Sequence, residues 1–214
     1  MNDRPLSPGR MLTHACYVLI VVVASFALAQ VVGTVFGWIL HPDTAIQADL
    51  SRNYYVAYPI RGAASLAVFL FAVYIFSRRH GYSVAFSLRE TMTRMDFFIE
   101  TIPTLLIVEV LLYRFGWSYL PSWYLAGPLA ALFGIFNPAD MYGMEFGGTS
   151  VEGFMTIDNI SLFYYLWLQI LIDVAIAVAV VFLMWKGRRA GERAAQEDHD
   201  KQLAEMRRDS GLDK

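Results

Sequence analysis

Three ionisable residues stand inside long apolar blocks of this sequence: Arg61, Glu109 and Asp173. A charge at bilayer depth is costly, so it is retained where it pairs, binds or relays. Gln169 lies one turn before Asp173 on the same helical face and joins the set. At 1.5 Å per residue, Arg61 and Glu109 lie ~10 Å in from the external end of their blocks, and Asp173 roughly 15–18 Å. The three fall in one layer, which predicts an Arg61–Glu109 or Arg61–Asp173 pair across helices. Such a cluster has two uses. It can line an ion, proton or substrate path, or it can act as internally neutralised glue between helices.

Other chemistry is sparse. His14, His41, His80 and His199 are far apart and match no zinc spacing. Cys16 is the single cysteine, which excludes an intramolecular disulfide and a multi-cysteine metal knuckle. Glu100 and Glu109 resemble a carboxylate pair, but nine residues at 100° place them on opposite helix faces. Glu100 is expected to snorkel to water beside Asp96. There is no phosphate-binding loop. Asp140, Glu145, Glu152 and Asp158 surround a glycine-rich stretch without the spacing of a calcium loop. No catalytic, cofactor or metal residue is therefore assigned.

The elements that must position the three charges follow from composition. The chain has 214 residues, 57% hydrophobic and 17% charged, against ~45–50% and ~25% for a soluble domain. The net charge of −2 carries no basic excess for nucleic acid. A helix crosses a bilayer in ~20 apolar residues. Four blocks qualify: 15–40, 54–76, 97–115 and 162–185. The expected fold is all-α, a multi-pass membrane protein with a four-transmembrane-helix bundle. Residues 1–14 form a cytoplasmic arm and 186–214 a charged cytoplasmic tail.

Basic residues set the sides, since Lys and Arg concentrate on cytoplasmic flanks. Fourteen of the 17 lie in the N-terminal arm, the loop after the second block and the C-terminal tail. Both termini then read as cytoplasmic, and the number of crossings must be even. The stretch 117–136, broken by Pro121, Gly127, Pro128 and Gly134, is accordingly an external interfacial or re-entrant segment. If it crosses in place of 97–115, the charge rule is equally satisfied. Arg4, Arg10 and the Ala27–Ala29 stretch also suit a signal peptide, but the apolar run continues too far beyond it, so the first block is read as an uncleaved span.

Between membrane helices, small residues permit the close packing that lipid-exposed apolar side chains do not drive. Ser25, Ala29, Gly33 and Gly37 form such a ridge at four-residue spacing. Residues 84–95 suit a cytoplasmic amphipathic helix, with Ser87 and Glu90 spaced as a capping box. The tail is expected to be a solvated helix with a Glu197–Lys201 pair. Together these features predict a non-enzymatic accessory, scaffold or regulatory subunit in a bacterial-type plasma membrane. Its partners would be the lipid bilayer and other membrane subunits or a second copy. The alternative is a small transporter using Arg61, Glu109 and Asp173.

Overall fold

The computed structural model describes residues 8–40, 56–88, 93–114, 125–126, 128–130, 132–135 and 159–209. Among these there are helices and turns and no strand. The described residues form four long helices: α1 (Pro8–Leu40), α2 (Tyr58–Leu88), α3 (Arg94–Arg114) and α4 (Asn159–Asp209). Among the described residues, three stretches are long and apolar enough to cross a membrane: Leu12–Leu40, Pro59–Ser87 and Phe163–Arg208. The third block expected to cross is present as α3, which also carries Asp96, Glu100 and Pro103.

Burial runs against the pattern of a soluble protein. Leu19, Ile20, Val31, Trp38, Phe71 and Leu106 are exposed, while His14, Ser25, Ser65, Thr101, Arg188 and Glu192 are buried. That is the arrangement expected where lipid replaces water as the solvent and polar groups turn inward. On α4 the exposed Phe163, Trp167, Ile170, Leu171, Val174 and Val178 share one broad face. Tyr165, Ile176, Val180 and Met184 are buried on the other side.

Element boundaries differ from the sequence expectation in three places. Helix α1 begins at Pro8, so half of the expected arm is already helical. Helix α2 runs to Leu88 and α3 starts at Arg94, so 84–95 is not one amphipathic helix. Residues 84–88 are the last turn of α2, and residues 89–92, with the Glu90 of the expected capping box, lie outside the described residues. The N-cap that forms is at Thr93. Its hydroxyl accepts the Asp96 amide at 3.2 Å and donates to the Asp96 carboxylate at 2.6 Å. The Phe97 amide then bonds the Thr93 carbonyl at 3.2 Å, the first bond of the helix. Thr93→Ala removes this cap and is expected to cost about 1 kcal/mol, with faster amide hydrogen exchange confined to the first turn of α3.

The third difference is in α4, which is continuous for 51 residues through the point where composition turns from apolar to charged. At 1.5 Å per residue it is roughly 75 Å long, more than twice a bilayer core. Pro103 interrupts the ladder of α3 without ending it, and the Thr104 hydroxyl donates to the Glu100 carbonyl at 2.8 Å within that turn. In the expected interfacial segment, residues 125–126, 128–130 and 132 are helical and 133–135 form its closing turn. Gly134 has φ 67°, and the Ile135 amide reaches back to the Ala130 carbonyl at 2.9 Å. This is the left-handed close that glycine permits after a helix. Residues 41–55 and the acidic stretch 136–158 lie outside the described residues.

Contacts divide the chain into two compact units. One comprises Met1–Ser25, Leu70–Val108 and Val178–Lys214; the other comprises Phe26–Phe69 and Glu109–Ala177.

Candidate functional site

The first unit encloses a polar cluster drawn from all four helices. Helix α1 supplies His14 and Tyr17, α2 supplies His80, α3 supplies Glu100 and Thr101, and α4 supplies Arg188 and Glu192. His14, Glu100, Thr101, Arg188 and Glu192 are each no more than 6% exposed. They can sit this deep because α2 and α4 approach at backbone contact. A Cβ on Gly187 would stand 2.5 Å from the Tyr74 carbonyl oxygen, and one on Gly81 would strike the Arg188 carbonyl oxygen. A Cβ on Gly191 would strike the Arg78 carbonyl oxygen. Gly187 and Gly191 are one turn apart on the face of α4 that meets α2, a small-residue seam of the kind that lets membrane helices touch.

Arg188 organises the cluster. Its Nε donates to Glu192 Oε1 at 3.1 Å, and its NH1 lies 3.4 Å from His14 Nδ1. Arginine has donors only, so His14 Nδ1 accepts and the ring proton is on Nε2. That nitrogen lies 3.1 Å from the Thr101 hydroxyl, with Glu100 Oε2 beyond it at 4.0 Å. The chain of contacts Glu192–Arg188–His14–Thr101 thus links α4, α1 and α3. Alongside it, the Tyr17 and His80 rings stack at 3.4 Å, joining α1 to α2. Phe97 closes the ring of contacts, edge-on to His14 at 5.9 Å and 5.2 Å from Trp185. The chemistry of this arrangement is fixation. One buried guanidinium is held between a carboxylate and an imidazole, through its Nε and NH1.

Further along α4, Tyr82 donates to Asp198 at 3.1 Å and Lys201 pairs with Asp198 at 3.6 Å. The tail is therefore helical but not wholly solvated: Gly191, Glu192 and Ala195 are buried, and Lys201 pairs with Asp198 where Glu197 was expected.

The second unit holds the sequence-expected residues. Arg61 is half-buried and lies along the glycine ridge of α1. A Cβ on Gly37 would be 3.2 Å from its NH1, and one on Gly33 would be 2.7 Å from the Ser65 hydroxyl. The ridge thus receives α2 within one chain: Gly33 and Gly37 make room for Arg61 and Ser65, and Ala29 is 3% exposed. Ser25 belongs to the first unit and is fully buried. Gln169 and Asp173 are half-buried on the side of α4 that also buries Tyr165 and Ile176. The side chain of Glu109 lies outside the described residues, and with it the expected Arg61–Glu109 pair.

Sequence reasoning placed Glu100 in water and His14 alone; the structure buries both and brings them together. The available signal was in the tail, where Gly187, Arg188, Gly191 and Glu192 interleave a four-residue glycine spacing with a four-residue ion pair. Among the described residues, no group of three or more His, Cys, Asp or Glu side chains could hold a metal ion.

The chain matches no protein-family model, no curated protein and no solved structure. Its class rests on its own described residues, which are helical and include three helices long and apolar enough to cross a membrane.

Proposed function

We propose that the chain is a four-span membrane subunit, with both termini on the cytoplasmic side, that works by holding or regulating other membrane proteins. The observation that carries this reading is the surface of α4. In the three apolar stretches, 39%, 33% and 11% of the most apolar window is buried by the rest of the chain, in chain order. The last span is thus the least covered, and its broad apolar face is available to other subunits. Aromatic residues bracket it: Tyr164 and Trp167 at one end, Trp185 at the other. Their separation, 18 to 21 residues, corresponds to ~27–32 Å of helix, the thickness of a bilayer core.

The polar cluster of the first unit supports the same reading. Its charges engage one another in a buried network, which suits a fixed scaffold. The exposed basic residues Arg78, Arg79, Arg94, Lys186 and Arg193 also belong to that unit, in keeping with a cytoplasmic position. With both termini on that side, α3 is the crossing that makes the count even.

Purification of the full chain in mild detergent, with mass-spectrometric identification of companions, tests the reading. A stoichiometric membrane partner is expected, and its loss on substitution of Leu171 and Val174 by tryptophan would place it on α4. A clean monomer or homo-oligomer at native expression would overturn it. One observation favours a transporter as the second reading: Asp173 and Gln169 face inward on a span. Ion or proton flux in proteoliposomes that Asp173→Asn abolishes would establish that alternative.

A further inference from the structure

The first unit contains a groove of about 770 Å³, within the ~300–1,000 Å³ of small-ligand clefts. Its floor is aromatic, with Phe98, Phe182 and Trp185, and its rim is basic, with Arg94, Lys186, Arg189 and Arg193. It lies where α4 turns from its apolar run to its charged run, between Trp185 and Lys186.

Three of the cations rest on ring faces. Arg94 stands 5.8 Å from the Phe98 centroid, Lys186 4.7 Å from Phe182 and Arg189 4.5 Å from Trp185. Stacking engages the face of a guanidinium and leaves N–H edges for an anion. Glu192 is the carboxylate that also lines the groove, and Arg188 holds it from the buried side at 3.1 Å while Arg189 reaches its other oxygen at 3.5 Å. The rim therefore keeps an excess of positive charge.

We propose that this groove binds the headgroup of an anionic phospholipid from the cytoplasmic leaflet. The basic rim takes the phosphate, and the rings take the glycerol and the first acyl methylenes. Charge complementarity selects the sign of the ligand, since basic pockets beside membrane helices on the cytoplasmic side suit anionic headgroups. The apolar floor selects a lipid over a free anion, because a soluble phosphate would leave Phe98, Phe182 and Trp185 uncovered. The groove goes beyond the scaffold reading and is tested independently of any protein partner.

The test is a lipid titration on the purified full-length chain in neutral detergent, read by native mass spectrometry. Dioleoylphosphatidylglycerol is compared with dioleoylphosphatidylcholine and with inorganic phosphate. The anionic lipid is expected to bind at least tenfold tighter than the zwitterionic one. A surface Lys or Arg contributes about a fivefold factor, so K186Q/R193Q should weaken it roughly 30-fold. Both side chains are exposed, and unchanged elution and helicity verify folding. If that variant is unstable, R94Q substitutes, with roughly fivefold expected. Equal binding of the two lipids, full affinity in the folded variants, or displacement of the lipid by millimolar phosphate would each overturn the proposal.

Discussion

Arg188→Leu is expected to destabilise the folded chain by about 3 kcal/mol, the low end of the ~3–5 kcal/mol for breaking a buried pair. The substitution leaves the Glu192 carboxylate, 5% exposed, without its principal donor, and removes the donor facing His14 Nδ1. The low end applies because Arg189 already reaches Glu192 Oε2 at 3.5 Å and its side chain is only 41% exposed. The loss is the desolvation of an uncompensated charge, not the strength of the pair. The double variant R188L/E192L should therefore recover most of the stability, since an apolar pair of similar volume has no unpaired charge to bury. Thermal unfolding in detergent checks this, with a midpoint falling on the order of 10 °C for the single variant. A single variant as stable as the parent would show that the cluster does not hold the helices together.

The second large effect belongs to the seam between α2 and α4. Gly191→Ala places a methyl against the Arg78 carbonyl oxygen and 2.5 Å from the Tyr82 amide nitrogen. Both obstacles are backbone, so no rotamer change relieves them and the helices must separate. Overpacking costs about 1–3 kcal/mol and occasionally more, and a rigid obstacle places this variant at or above the upper end. Arg188 and Glu192 flank the same turn, so separation would also open the polar cluster to water. Gly33→Ala is the contrasting case. Its methyl meets the Ser65 hydroxyl at 2.7 Å, the rotatable end of a side chain. The remaining strain is largely offset by the ~1 kcal/mol that alanine gains over glycine in a helix. Chemical denaturation of the two variants side by side should show a clear deficit for Gly191→Ala and almost none for Gly33→Ala. Equal stability of the two would refute the backbone-contact account.

The contrast shows what was legible in the sequence. Gly33 and Gly37 stand in an uninterrupted apolar run, so their four-residue spacing was conspicuous as a packing ridge. Gly187 and Gly191 have the same spacing, but Lys186, Arg188, Arg189 and Glu192 surround them, and that composition reads as a solvated tail. Charge content hid a helix approach at backbone contact. Glu100 was misplaced for a related reason. Its depth along α3 suggests an escape to water, but escape also requires a free direction, and the buried His14 stands 4.0 Å from its carboxylate. Ser87 and Glu90 match the familiar capping-box spacing, whereas the cap that forms is Thr93 with Asp96. The end of α2 falls after Ser87, so no helix starts there.

The sequence alone determined the solvent, the helical class and the charged end. Those follow from one-dimensional quantities: the length of apolar runs and the distribution of Lys and Arg along the chain. It also singled out Arg61, Gln169 and Asp173, because a polar residue in an apolar run is visible without knowing its neighbours. Only the tertiary structure decided which polar residues meet. His14 and Arg188 are 174 positions apart, and their contact depends on backbone approach at three glycines. Periodicity and spacing describe a helix by itself, whereas a buried charge is defined by what the other helices place beside it.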